Sequence, residues 1–180
     1  IALIALLMSL AYSSILAFLP IYSQMLHLVK SGSLFFIVYA VAITLTRPLT
    51  GKIFDKYGEN YVMYPSFILT TISLLFIAFA HYDWQLLLAG VLMGLGFGTF
   101  FSNGQAYTLK LSDKPRVGIA LSTYFIGADL GIGFGPYLLG NLETLINFKG
   151  IYLICAIIPL CVTVLYLSLI HISEPTRLDV

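Results

Sequence analysis

The chain has 180 residues, of which 59% are hydrophobic and 9% charged. An average soluble domain carries roughly 25% charged residues, so a water-soluble globule and a disordered chain are both excluded. Nine Lys/Arg against eight Asp/Glu leave a net charge of +1 with no basic run, which excludes nucleic-acid binding through bulk charge. What remains is an all-α, polytopic membrane protein with lipid as its solvent.

A spanning helix needs about 20 mainly apolar residues. Six spans are predicted, near 2–26, 33–50, 61–80, 85–108, 117–141 and 150–170, separated by short polar segments. Pro20, Pro65, Pro136 and Pro159 fall inside them, which membrane helices tolerate at the expense of a kink. The first span places Ser9, Ser13 and Gln24 on one side with Tyr12 beside them. The second leads through Arg47-Pro48-Leu49-Thr50 into a polar loop, Gly51 to Asn60. The third lacks charges, and the outer loop after it carries His81, Tyr82 and Trp84, which suit an interfacial anchor.

The fourth span repeats a small residue every four positions, at Gly90, Gly94, Gly98 and Ser102, and ends with Asn103, Gln105 and Tyr107. The fifth does the same at Gly127, Gly131 and Gly135, next to Pro136. This spacing stacks small residues on one face, lets backbones approach closely and leaves faces free to rock. Asp129 lies midway along the fifth span, with Ser122, Gly133 and Pro136 on its side of the helix. A carboxylate at that depth costs about 2.5–3.5 kcal/mol on insertion scales, so it is expected to face the bundle interior as a proton-coupling site, a cation contact or a hydrogen-bonded structural acid. Phe100, Phe101 and Phe125 would suit an apolar substrate. In the sixth span Cys155 and Cys161, six residues apart, fall on nearly opposite sides of the helix and form neither a metal pair nor a disulfide. The run from Leu167 to Arg177 resembles the translation of a sequencing-library adapter. Residues 167–180 are therefore expected to be non-native, and His171, Glu174 and Arg177 receive no role.

Arg47, Lys52, Lys56, Lys110, Lys114 and Arg116 fall at the second and fourth connections, against only Lys30 and Lys149 at the other three. The positive-inside rule then predicts that the second and fourth connections and both chain ends are cytoplasmic.

Gly51-Lys52-Ile53-Phe54-Asp55-Lys56-Tyr57-Gly58 resembles the signature G-x-[LI]-x-D-[RK]-x-G of the major facilitator superfamily, which joins the second and third helices of each six-helix half. Glu59-Asn60 stand where that pattern often continues with basic residues. The resemblance implies half of a major facilitator fold over residues 1–166, built as two inverted three-helix repeats, 1–80 and 85–170. It implies a cytoplasmic gating role for Arg47, Gly51, Asp55, Lys56 and Gly58, with Asp55 capping the span that starts near Val117. It also implies a substrate cavity near Tyr12, Ser13, Asn103, Gln105 and Tyr107, and lipid-facing third and sixth spans. The stretch Leu87 to Gly94 lacks the Arg usual in the fourth helix of a first half, so the chain resembles the C-terminal half, with six N-terminal helices missing.

The implied protein is a secondary transporter of a bacterial plasma membrane, most like drug:proton antiporters, moving a small apolar or weakly charged molecule by alternating access. Proton-coupled uptake of a sugar or metabolite and a non-transporting six-helix protein are the alternatives. No cofactor or metal is implied. An intramembrane serine protease lacks a His base at membrane depth, a metalloprotease lacks HExxH, and no GxxxxGK[ST] loop for nucleotide is present.

Overall fold

A computed structural model describes the backbone of residues 1–173 and the side chains of residues 1–168. The tail from Glu174 to Val180 lies outside the described residues. Six helices are long and apolar enough to cross a membrane: α1 (Ala2–Met25), α2 (Val29–Tyr57), α3 (Asn60–Ala78), α4 (Asp83–Leu111), α5 (Val117–Glu143) and α6 (Phe148–Ser173). No strand occurs among the described residues. Helices are the expected solution in lipid, because each satisfies its own backbone polar groups.

The connections are short and locally determined. Between α1 and α2 the chain turns through His27 at φ 59°. At the start of α4, Gln85 Oε1 accepts from the Tyr82 backbone N–H at 3.0 Å and from that of His81 at 2.6 Å, closing the helix entry. Asn147 Oδ1 accepts from the Gly150 N–H at 3.0 Å and does the same for α6. A 3-10 turn, Lys114–Arg116, leads directly into α5.

The polar segment predicted as a loop after residue 50 is helical through Tyr57. With 29 residues, α2 is about 43 Å long at 1.5 Å per residue, well beyond the ~30 Å hydrocarbon core. Gly51 to Tyr57 are therefore a helical extension past the lipid, where polar side chains cost nothing. The break comes at Gly58, φ 93°.

Packing follows a two-fold pattern. The first helix packs on α5 and α6; α4 packs on α2 and α3; α3 packs on α6. Exchanging α1–α3 with α4–α6 maps these contacts onto one another, as two inverted repeats require. The core between them is dominated by large side chains with no exposure, among them Met8, Phe35, Phe67, Phe100, Tyr124 and Tyr152. Burial is uneven. About half of each spanning window of α1, α3 and α4 is buried (56%), but only 22% of those of α2 and α5. The α3 helix packs on α4 and α6 with one side and keeps an exposed apolar stripe, Tyr61, Ile68, Leu75 and Phe79, along the other.

Two glycine seams set these orientations. A methyl placed at Gly90 would lie 3.0 Å from the Phe35 carbonyl oxygen, and one at Gly94 2.9 Å from that of Tyr39, so α4 rests on the α2 backbone. A methyl at Gly131 would overlap the Leu6 carbonyl oxygen and one at Gly127 would press on that of Ala2, so α5 rests on α1. The predicted four-residue ridge on α4 continues to Gly98, which lies against Ile43 of α2, although Gly94–Gly98 form a π-helical turn. That turn brings Gly96 against α3 as well, where a methyl would lie 2.6 Å from the Thr70 nitrogen.

Gly131→Ala must push backbone apart and is expected to destabilise the helix bundle by about 1–3 kcal/mol. Gly118→Ala, in open space at the start of α5, is expected to be neutral or slightly stabilising. Thermal unfolding of the complete protein in detergent compares the two.

Candidate functional site

The α1–α5 seam decides what α5 presents outward. With Gly127, Gly131 and Gly135 turned to α1, the opposite side carries Asp129, exposed in an open depression of about 440 Å³ lined by Ile126, Leu130, Gly133 and Phe134. Asp129 makes no hydrogen bond or ion pair among the described residues. The expectation that it faces the interior of these six helices is therefore corrected: the glycine side of α5 is used for packing, and the acid lies on the bare side. An exposed carboxylate among apolar side chains at the middle of a spanning helix is costly in lipid, and is tolerated where protein or water covers it.

An aromatic row leads toward the same helix. Tyr12 of α1 stacks on Phe97 of α4 with ring centroids 4.2 Å apart and planes at 12°, and on Tyr39 of α2 at 5.6 Å. Phe97 continues to Phe101 at 5.8 Å, and Phe101 to Phe125 of α5 at 6.3 Å. Phe125 is exposed and stands four residues before Asp129, on the same side of α5. The row thus crosses four helices and ends one turn from the carboxylate. Tyr124 fixes that end: its ring fills the space over Gly104, and its hydroxyl donates to the Phe101 carbonyl at 3.0 Å.

Of the five residues expected to line a cavity, Tyr12 joins this row. Ser13 lies in the α1–α5 seam, buried against Gly135, and donates to the Leu10 carbonyl at 2.6 Å. Asn103 is buried, and its Nδ2 donates to the Thr99 carbonyl at 2.9 Å within its own helix. Tyr107 is buried edge-on to Tyr166 of α6 at 6.3 Å. Gln105 is half-buried near the end of α4. Tyr39 and Phe97 were not singled out by sequence. Their signal is weak, since both lie among many apolar residues and Phe97 sits inside the π-turn. Pro136 lies beside the seam glycine Gly135, and its α5 helix continues through it without a break.

At the far end of α2 the signature residues Arg47, Lys52, Asp55 and Lys56 are exposed. The expected cap of Asp55 on α5 is not formed: Asp55 has no hydrogen bond or ion pair among the described residues, and no side chain caps the first turn of α5. The reason is the helical extension, which carries Asp55 on an exposed side of α2. Gly58 alone carries the turn. Gly51 has open space around it and supports no close helix approach.

Six helices long and apolar enough to cross a membrane, with contacts that repeat between the first three and the last three, are an architecture found in membrane transporters. The sequence profile of the Major Facilitator Superfamily matches residues 1–179, and the chain belongs to that family. A multi-drug resistance efflux pump PmrA homolog of Lactococcus lactis subsp. lactis (strain IL1403) is 30% identical over 167 residues, covering 89% of this chain and 41% of the relative. The multidrug resistance protein MdtG of Proteus mirabilis (strain HI4320) is 30% identical over 170 residues, covering 91% and 41%. A staphylopine export protein of Staphylococcus aureus (strain Mu50 / ATCC 700699) is 24% identical over 164 residues, covering 87% and 40%. The chain therefore spans about two fifths of the length of the curated relatives it matches.

Gly58→Ala forces an L-residue into φ 93° and is expected to cost about 1–3 kcal/mol. Gly51→Ala at an open helical position is expected to cost nothing. Thermal melts of the two variants in the complete protein distinguish a turn that needs glycine from a signature glycine that does not.

Proposed function

We propose that the chain is the C-terminal half of a proton-coupled efflux transporter for small apolar or weakly charged molecules. The observation that carries this reading is Asp129: a carboxylate midway along a spanning helix, exposed in this half and reached by an aromatic row. The names of the relatives, two multidrug resistance proteins and an exporter, support the direction of transport. Their greater length supports a further six-helix half preceding this one in the same chain.

The bare sides of α2 and α5 suit that missing half, which would cover them together with Asp129. Substrate then binds between the halves, its rings against the half-buried Tyr12 and Phe101 and the exposed Phe125, with buried Phe97 behind them. Ser13, Asn103, Gln105 and Tyr107 support that wall from the seam and from the inner end of α4. Asp129 takes a proton when the cavity opens outward and releases it when the cavity opens inward, and each change alters the cost of leaving the carboxylate uncovered. Alternating access comes from rocking of this half against the missing one, with small adjustments along the two glycine seams, whose faces offer little side-chain interlock. The charge pattern supports cytoplasmic placement of both ends and of the signature segment, in a bacterial plasma membrane. There Arg47, Asp55 and Lys56 meet the other half when the cytoplasmic side is closed.

Asp129→Asn in the complete transporter is expected to lower ethidium efflux driven by an imposed pH gradient by at least about tenfold. Downhill ethidium exchange without a gradient should persist, and the melting temperature should stay unchanged or rise. Gradient-driven efflux at the wild-type rate in proteoliposomes removes the coupling role.

A further inference from the structure

At the end of the bundle away from the signature turn, a depression of about 270 Å³ opens on the exposed side of α3. It is lined by Ile72, Leu75, Phe76 and Phe79 of α3 and by Gln85 of α4. The four α3 residues stand at i, i+3, i+4 and i+7, which makes them one stripe of the helix. They span about 10 Å of its axis at 1.5 Å per residue. Such a stripe suits an acyl chain, yet its end nearest the α3–α4 connection is polar. Lys149, in the first turn of α6, holds its Nζ 4.4 Å from the centroid of the Phe79 ring. Gln85 Oε1 accepts from the backbone N–H groups of His81 and Tyr82. That leaves the N–H donors of its amide without a partner among the described residues. Trp84 stands edge-on to Phe76, with ring centroids 6.4 Å apart.

Local rules do not explain Lys149. A helix start disfavours a cation, and α6 has no acid in its first turn. Lys149 forms no ion pair among the described residues. Asp83, the acid at the start of α4, accepts from Ser31 on the α2 side. The His81 Nδ1 meets the Phe79 carbonyl at 2.8 Å. An unpaired ammonium and an open amide therefore stand over the polar end of an apolar depression.

We propose that this depression binds an anionic phospholipid. One acyl chain lies along Ile72, Leu75, Phe76 and Phe79, and the headgroup phosphate meets Lys149 and the Gln85 amide. The depths agree: the stripe runs into the hydrocarbon, while the polar groups sit where α3 ends and α4 and α6 begin. Phe79 joins the two parts, since it lines the depression and carries the ammonium over its face. A zwitterionic headgroup brings its own cation to Lys149, whereas an anionic one leaves its phosphate charge to be matched. With the orientation proposed above, the lipid belongs to the outer leaflet. The site does not depend on what the transporter carries.

Trp84, the single tryptophan of this chain, reports on the site. The complete transporter, with tryptophans elsewhere replaced by phenylalanine, is reconstituted into phosphatidylcholine vesicles. These contain a fixed share of phosphatidylglycerol or phosphatidylcholine brominated on its acyl chains, which quenches a nearby indole. Phosphatidylglycerol is expected to occupy the site about fivefold more readily, the preference that one cation near the membrane surface supplies. Lys149→Gln is expected to abolish that preference, Lys149→Arg to keep it, and Lys30→Gln to leave it unchanged. Ile72→Phe with Leu75→Phe fills the depression and is expected to abolish it with Lys149 in place. Equal quenching by the two lipids in the wild type, or a preference that survives Lys149→Gln, overturns the proposal. A preference that survives the filled depression, or an equal loss in Lys30→Gln, overturns it in favour of diffuse surface charge. Should the single-tryptophan protein fail to insert, native mass spectrometry of the transporter in detergent with added phosphatidylglycerol decides. The wild type is then expected to retain one more lipid than Lys149→Gln, and equal numbers overturn the site.

Discussion

The close approach of helix backbones at two glycine seams is the constraint from which the rest of this architecture follows. In lipid, apolar side chains gain nothing by leaving their surroundings, so helices associate through packing and hydrogen bonding. Glycine supplies that packing where a carbonyl of one helix fills the space a side chain would take on the other. Here α4 lies on the backbone of α2 at Gly90 and Gly94, and α5 on that of α1 at Gly127 and Gly131. The two-fold relation between the repeats exchanges these seams, which is why α2 and α5, and no other pair, are left equally bare.

Once a seam fixes which side of a helix is inside, it fixes what is outside. Asp129 stands two residues from Gly127 and Gly131, which is 200° around the helix. No rotation of α5 could bury both the ridge and the acid in the same six-helix bundle. The choice between them is decided by magnitude: a lost seam costs several backbone contacts along α5, while an acid can be covered by a partner that also covers the apolar side chains around it. The aromatic row obeys the same logic. It runs where α1, α2 and α4 converge, buried at Phe97, and only its last ring, Phe125, reaches the open side that carries Asp129.

Much of this was legible in the sequence, because the number and order of spans depend on apolar length alone. The end of α2 was not. Lys52, Asp55 and Lys56 look like a loop by composition, yet a helix leaving the hydrocarbon can carry charges without penalty, and only the backbone at Gly58 ends it. The π-turn was hidden for a related reason. Gly90, Gly94 and Gly98 keep a four-residue spacing, and nothing in that spacing reveals the extra residue that turns Gly96 to α3. Tyr12 and Ser13 are neighbours separated by 100°, and only the docking side of α5 decides which of them enters the row and which enters the seam. That Asp129 lies away from the ridge was readable; that the ridge would claim the interior was not.

The contrast between the seams and the ends of the helices bears on how such a bundle moves. Along the α1–α5 seam the polar side chains are turned back on their own backbone, as with Ser13, or left without a partner among the described residues, as with the buried Ser9 hydroxyl. At the two ends of α4, by contrast, charged side chains tie neighbouring segments together. Ser31 donates to Asp83 where α2 and α4 both begin, and on the other side Lys110, near the end of α4, meets Glu59 just past the end of α2. A helix pair tied at both ends but smooth between them resists splaying while its middle can adjust. The π-turn, with its looser hydrogen bonding, lies in that middle stretch of α4, directly behind the ring of Phe97. Adjustment there changes the aromatic row before it disturbs either tie.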